Sequence, residues 1–193
     1  MTTKETAERI IEAAIQLISE KGYTAATTKA IADLAQVNEV TIFRHFGNKQ
    51  GILKTIVDRF SYNPILQKMM HEEVTWDLEK DLNHFSMKYF EYMMSIKDLV
   101  MIGFKESMQF PEISNEIATV PLIFKNELIQ YFEEMHHKGK IREVNFEAAA
   151  LSLIALNFGH FISRARLGTT VSTLPTEELI NTSVAIFSRG LIS

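Results

Sequence analysis

The chain has 193 residues, 46% of them hydrophobic, with eight Gly, four Pro, no Cys and a net charge of −4. That length can bury a core in one larger unit or two smaller ones, and the scarcity of Gly and Pro favours an all-α protein over strands or disorder. Without Cys, neither disulfides nor thiolate metal sites can form, and an overall acidic chain is at first sight a poor partner for nucleic acid.

The opening residues MTTKETAERI alternate in charge and lack the apolar core of a signal peptide, so a cytoplasmic protein is expected. A first helix is predicted from about Thr6 to Glu20, with Ile10, Ile11, Ala14, Leu17 and Ile18 on one face and Gly22 ending it. Thr27 then stands where an N-cap belongs. From Thr28 to Ala35 the apolar residues Ala30, Ile31, Leu34 and Ala35 have the spacing of a half-buried helix. Ala35-Gln36-Val37-Asn38 makes a tight turn, with Val37 as its apolar plug and Asn38 as the next N-cap. The third helix, Glu39 to about Phe46, buries Ile42 and either Phe43 or Phe46. It leaves Glu39, Val40, Thr41, Arg44 and His45 outward, and Gly47 ends it. Asn48 caps a fourth helix whose buried side is Ile52, Leu53, Ile56, Val57 and Phe60. Lys49 falls in its first turn, where a cation opposes the helix dipole, so an external anion such as a phosphate is expected there. Two short helices about a tight turn over residues 27–46 have the shape of a module that lays one helix in the DNA major groove. The charge objection also moves: residues 1–50 hold six Lys/Arg and six Asp/Glu, and the acidic excess lies wholly in residues 51–193.

The segments IIEAAIQLISEKGY (10–23), TTKAIADLA (27–35), VNEVTIFRHF (37–46) and NKQGIL (48–53) together resemble the DNA-binding domain of the TetR family of bacterial transcriptional regulators. The resemblance implies that Glu39 falls where the family reads bases. Thr28, Lys29, Thr41, His45 and Lys49 fall where it holds phosphates, Thr41 sometimes a base. The candidate DNA contacts are therefore Thr27, Thr28, Lys29, Asn38, Glu39, Val40, Thr41, Phe43, Arg44, His45 and Lys49. Two positions depart from the family's pattern. Gln36 replaces a frequent Gly, so the turn needs a non-glycine residue that tolerates its geometry; Phe43 replaces a frequent Tyr, which shifts its role towards packing. Ile31, Leu34, Val37, Ile42 and Phe46 are expected in the core.

Pro64 disfavours helix at Asn63, so the domain boundary is placed there: a DNA-binding domain over residues 1–63 and a helical effector-binding and dimerisation domain over 64–193. Downstream, Trp76–Ile96 is periodic through Leu78, Leu82, Phe85, Tyr89, Tyr92 and Met93. Further helices are predicted over Lys97–Met108, Pro121–His137, Phe146–Leu167 after an Asn145 cap, and Thr176–Ile192, about nine in all. The stretch Ala148–Ser163 is uncharged but only sixteen residues long, short for a membrane span, and suits a buried or interfacial helix. Because the helix around it is apolar almost all round, part of it is expected to meet another chain. The family resemblance implies the same, a homodimer paired through the last two helices. Leu151, Ile154, Phe158, Ile162, Leu179, Val184 and Phe187 are the interface candidates. Met and aromatic residues in the middle helices can be core or can line an apolar pocket. By resemblance this region holds a small-molecule effector, with Phe85, Tyr89, Met93, Phe104, Met108, Phe124 and Phe158 as candidates.

Enzymatic signals are few. Glu133-x-x-His136 and Glu134-x-x-His137 have the one-turn spacing of di-iron bundles, with Asp81-x-x-His84 as the near match. No Gly-rich phosphate loop, nucleophile elbow or HExxH occurs, and no cofactor is expected. The alternatives weighed are thus a di-iron-type bundle enzyme and a helical adaptor that binds no DNA. The expected function is a non-enzymatic, ligand-responsive regulator, a repressor that binds a palindromic DNA operator as a homodimer and is released by a small, largely apolar effector.

Overall fold

The computed structural model describes residues 3–61, 70–106 and 118–192. Among these residues nine helices are bounded: α1 (Thr3–Lys21), α2 (Thr28–Leu34), α3 (Glu39–Phe46), α4 (Lys49–Ser61), α5 (Leu78–Ser95), α6 (Lys97–Glu106), α7 (Thr119–His137), α8 (Phe146–Leu167) and α9 (Thr176–Arg189). A further helical turn lies at 70–72, and no strand is found among the described residues. The break expected near Tyr62–Asn63 lies outside them, as do the side chains of Val57 and Phe60.

The first compact unit comprises Met1–Tyr62 together with Ile96–Thr119. Glu5 in the first turn of α1 and Lys21 in its last both suit the helix dipole. Gly22 stops the helix with φ +84° and an amide bond to the Ile18 carbonyl. Ile10, Ala14, Ile31, Ile42, Ile52 and Ile56 form one core, and Leu99 and Ile102 of α6 complete it. This last contribution differs from the expected single boundary, because α6 follows α5 in sequence yet packs on α1.

Asn63–Ser95 and Val120–Ser193 make the second unit. Its α5 packs against α8 and α9. A ladder of rings fills the interior: Phe85 meets Tyr131 edge-on at 5.2 Å, and Tyr89 stacks on Phe124 at 4.8 Å. Such pairs add about 1 kcal/mol each beyond the area they bury. Asp81, only 2% exposed, ties this interior to the loop before α5. Its carboxylate accepts from the Thr75 and Trp76 amides, the Thr75 hydroxyl and the Tyr131 phenol. Asn145 caps α8 by accepting from the Ala148 amide at 3.0 Å, and Gly168 ends it with φ +57°. α9 stops at Arg189, three residues before the expected end at Ile192. By length and composition α8 is, among the described residues, the one helix able to cross a membrane. Its buried Asn157, which donates to Ser86 of α5 at 3.0 Å, gives it a polar tie to the bundle.

Candidate nucleic-acid interface and effector region

The turn between α2 and α3 is held by its caps. The Thr27 hydroxyl accepts from the Ala30 amide at 3.1 Å and the Asn38 side-chain Oδ1 from the Val40 amide at 2.9 Å. Between them Gln36 takes φ +53°, the left-handed geometry that its position demands of a non-glycine residue. Gly47, with φ +75°, closes α3 through an amide bond to Phe43 O at 2.9 Å. The short helix Glu39–Phe46 is therefore fixed at both ends before any partner arrives.

Its burial follows from that geometry. Ile42 is fully buried and Phe46 packs on the core edge, while Val40 is 70% and Phe43 49% exposed. Arg44 and Lys29 are exposed; Thr28, Glu39, Thr41, His45 and Lys49 are half-buried. Two core assignments are corrected. Phe43 faces outward instead of packing, because α3 can turn only one strip inward and Ile42 with Phe46 occupies it. Leu34 is 44% exposed, since Ile31, Ala32 and Ala35 already fill the buried face of α2. A third correction concerns Lys49. Its ammonium donates to the carbonyls of Tyr23 and Thr24 and lies 4.0 Å over the Tyr23 ring. It pins the α1–α2 loop, so its place needs no external anion. Glu39 is also engaged, accepting from the Thr28 hydroxyl at 2.6 Å and tying α3 to α2.

The comparisons with known proteins decide the family. Residues 10–56 match the model of bacterial regulatory proteins of the tetR family, and residues 80–190 match that of the AefR-like transcriptional repressor C-terminal domain. The HTH-type transcriptional regulator YvkB of Bacillus subtilis (strain 168) is 37% identical over 188 residues, 97% of this chain and 98% of that one. This chain belongs to the TetR family of bacterial transcriptional regulators. It is a DNA-binding regulator and not an enzyme. The fold is shared with NalD, the secondary repressor of the MexAB-OprM multidrug efflux pump in Pseudomonas aeruginosa (TM-score 0.78, 18% identity, covering 99% and 98% of the two chains). It is shared too with the flavonoid-responsive regulator FrrA (TM-score 0.73, 22% identity, 97% of each chain).

The residues singled out for an effector separate in this TetR regulator. Phe85, Tyr89 and Phe124 have no exposed surface, and Met93 is 4% exposed. All four belong to the second unit, where Tyr89 stacks on Phe124, whereas Phe158 is half-buried on α8. Phe104 is corrected: it lies on α6, in the first unit, and is 51% exposed. Met108 lies outside the described residues. Burial pushes the Tyr89 phenol well above its ordinary range, so it stays a neutral donor, and its hydroxyl finds no partner among the described residues. Tyr92 is pushed up to about 12, also by burial.

A cavity of about 300 Å³, which the sequence did not suggest, opens between α8, α9 and the loop joining them, lined by Leu156, His160, Arg164, Leu174 and Leu179 among others. The guanidinium of Arg164 donates to the carbonyls of Ser172 and Leu174 and so closes the loop. His160 stacks on Phe90 at 4.8 Å and lies 3.3 Å from the Thr176 hydroxyl. Burial, then the neighbouring Arg164 charge, lowers its pKa below the ordinary 6.5. A histidine so depressed binds its proton more readily in the unfolded chain, so stability falls as pH drops through 6.5 towards the folded value. Urea midpoints measured at about pH 7.5 and about pH 5.5 should fall less in His160→Gln than in the wild type. Parallel falls would clear His160 of any part in acid sensitivity.

The interface candidates also divide. Val184 is fully buried and Ile154 8% exposed, both inside the protomer; they are removed from the interface, since α5 covers that side of α8 and α9. Leu151 is 50% exposed, and Phe158, Ile162, Leu179 and Phe187 are half-buried. Ile186, 67% exposed on α9, was missed because the positions chosen there, Leu179, Val184 and Phe187, follow an apolar stripe that is buried or half-buried in the protomer.

Among the described residues no group of three or more His, Asp and Glu side chains could hold a metal. Asp81 is committed to its four donors, His84 bonds Glu73 at 2.7 Å, and His136 pairs with the Ile141 carbonyl at 3.1 Å. The family assignment leaves the di-iron and adaptor alternatives without support.

Proposed function

We propose that this regulator binds a palindromic operator as a homodimer, represses transcription from it in the cytoplasm, and is released by a small, largely apolar effector. Residues 1–63, completed by α6, form the DNA-binding part; the rest of 64–193 binds the effector and pairs the two copies. The observation that carries this is a short helix capped at both ends whose Val40, Phe43 and Arg44 are exposed. Thr27, Thr28, Lys29, Asn38, Thr41 and His45 flank that face and serve its approach to the phosphates. Dimerisation rests on the outward strip of α8, where Leu151, Ala155 and Gly159 recur at helical spacing, and on Ile186 of α9. Small residues there let a second helix pair come close, and exposed apolar ones favour its burial.

Release follows from differential affinity: an effector lodged among the aromatic residues around Tyr89 shifts the population towards a state that grips DNA less well. The chain itself supplies a coupling element. α6 belongs to the head core through Leu99 and Ile102, yet in sequence it lies between α5 and α7 of the effector unit. Movement of α5, which ends at Ser95, is transmitted through the backbone to α6, which starts at Lys97.

Sedimentation of Leu151→Glu and Ile186→Glu tests the pairing. Both should shift the dimer towards monomer by at least about tenfold in dissociation constant, since each buries a charge at the contact. Operator affinity should fall with them, because one half-site alone binds weakly. A wild-type protein that sediments as a monomer at all concentrations would overturn the dimer, and with it the palindrome. Sequences selected from genomic fragments should carry half-sites about 34–36 Å apart, or a multiple of that spacing.

A further inference from the structure

The outward face of α3 is apolar at its centre. Val40 and Phe43, three residues apart, are 70% and 49% exposed, so both side chains point away from the core that holds Ile42. The polar residues around them are largely committed within the molecule. The Glu39 carboxylate accepts from Thr28, the Asn38 side chain from the Val40 amide, and the Thr27 hydroxyl from the Ala30 amide. Lys49 is bound to the carbonyls of Tyr23 and Thr24. Exposed Lys29 and Arg44 lie on the same two helices. An apolar centre with cations beside it suits the major groove, where the backbone is anionic and the only apolar group on a base edge is the 5-methyl of thymine.

We propose that Val40 and Phe43 determine operator specificity by packing against thymine methyl groups, with Arg44 and Lys29 on the phosphates beside them. The proposal rests on the DNA-binding activity of the family and names the base chemistry that this chain's own recognition helix reads. Each methyl buried against Val40 or Phe43 contributes a factor of about four in affinity, on the scale of one buried carbon. One methyl lost from each of two half-sites therefore weakens binding by about fifteenfold.

The test uses the full-length protein. A random duplex pool is enriched on it, and the best duplex is resynthesised with deoxyuridine in place of thymidine, one position per half-site at a time. Uracil keeps every hydrogen-bonding group and removes only the methyl. At one or two positions the uracil duplex should bind about fifteenfold more weakly to the wild type. Val40→Ala or Phe43→Ala should bind thymine and uracil duplexes alike at the position its side chain covers. Neither variant removes a charge, so the salt dependence should not change. Equal binding of thymine and uracil duplexes by the wild type overturns the proposal. So does a uracil penalty that survives in both variants, since the methyl then acts through DNA shape. A pool from which no sequence is enriched overturns DNA reading by this helix altogether; enrichment without methyl dependence overturns the methyl contact alone.

Discussion

Replacing Gly51 by Ala should unfold or displace the head and abolish specific DNA binding. A Cβ built at Gly51 would stand 1.8 Å from the Phe46 carbonyl oxygen and 2.9 Å from its carbon. Contact that close cannot be relieved by turning a side chain, because the obstacle is backbone. Residues 47 and 48 alone separate α3 from α4: Gly47 reverses the chain, and the Asn48 side chain accepts from the Gly51 amide at 2.8 Å. The first turn of α4 is thereby held against the last carbonyl of α3. To admit a methyl, one helix must move, drawing Ile42 or Ile52 out of the shared core. Overpacking of this kind costs about 3 kcal/mol or more, against about 1 kcal/mol that Ala returns in helix propensity. Urea unfolding and fluorescence anisotropy on a selected duplex would measure both effects. A Gly51→Ala protein with an unchanged midpoint and affinity would show that α3 and α4 are not held in this contact.

Local rules made the head legible. Thr27, Asn38, Gly47 and Asn48 each announced a helix end through side-chain or backbone chemistry, and α3 runs from Glu39 to Phe46 as the caps require. Gln36 was marked differently, by its departure from the family's frequent Gly, and its φ of +53° is the geometry that departure implied. Periodicity failed where an apolar side chain had a purpose other than burial. Leu34 and Phe43 follow the same hydrophobic code as Ile31 and Ile42, and only the packing of α1, α2 and α4 tells which strip turns inward; the outward placing of Val40 agrees with its 70% exposure. α8 illustrates the limit in another way. It is apolar on nearly every side, so nothing in its own sequence separates Ile154, which faces the protomer core, from Leu151, which does not. The membership of α6 in the head was also beyond sequence spacing, because Leu99 and Ile102 reach α1 through tertiary contact. Lys49 misled for a simpler reason: the dipole argument considers its own helix, while its partners are carbonyls more than twenty residues earlier.

Asp81→Ala should destabilise the effector unit by about 3 kcal/mol, more than removing any one of its partners. The asymmetry comes from what is left behind. With the carboxylate gone, the Trp76 amide and the Tyr131 phenol lose a charged acceptor that nothing near them replaces. Trp76 sits at φ +62°, a conformation that a bulky residue holds only under external restraint. Its amide bond to Asp81, its stacking on Tyr131 at 6.0 Å, the Lys138 ammonium 4.4 Å over its ring and the Lys140 bond to its carbonyl supply that restraint. Asp81→Asn should fare little better. One amide oxygen cannot replace two carboxylate oxygens that each accept two bonds, and the new amine would face donors. Tyr131→Phe, by contrast, removes one donor and leaves the carboxylate three, so about 1 kcal/mol is expected. Chemical denaturation followed by Trp76 fluorescence reads both, because the protein has a single Trp. If Asp81→Ala unfolded at the wild-type midpoint, the loop before α5 would have to be held by its ring contacts and the Lys140 bond to the Trp76 carbonyl. The buried carboxylate would then be a passenger in a unit stabilised by aromatic packing.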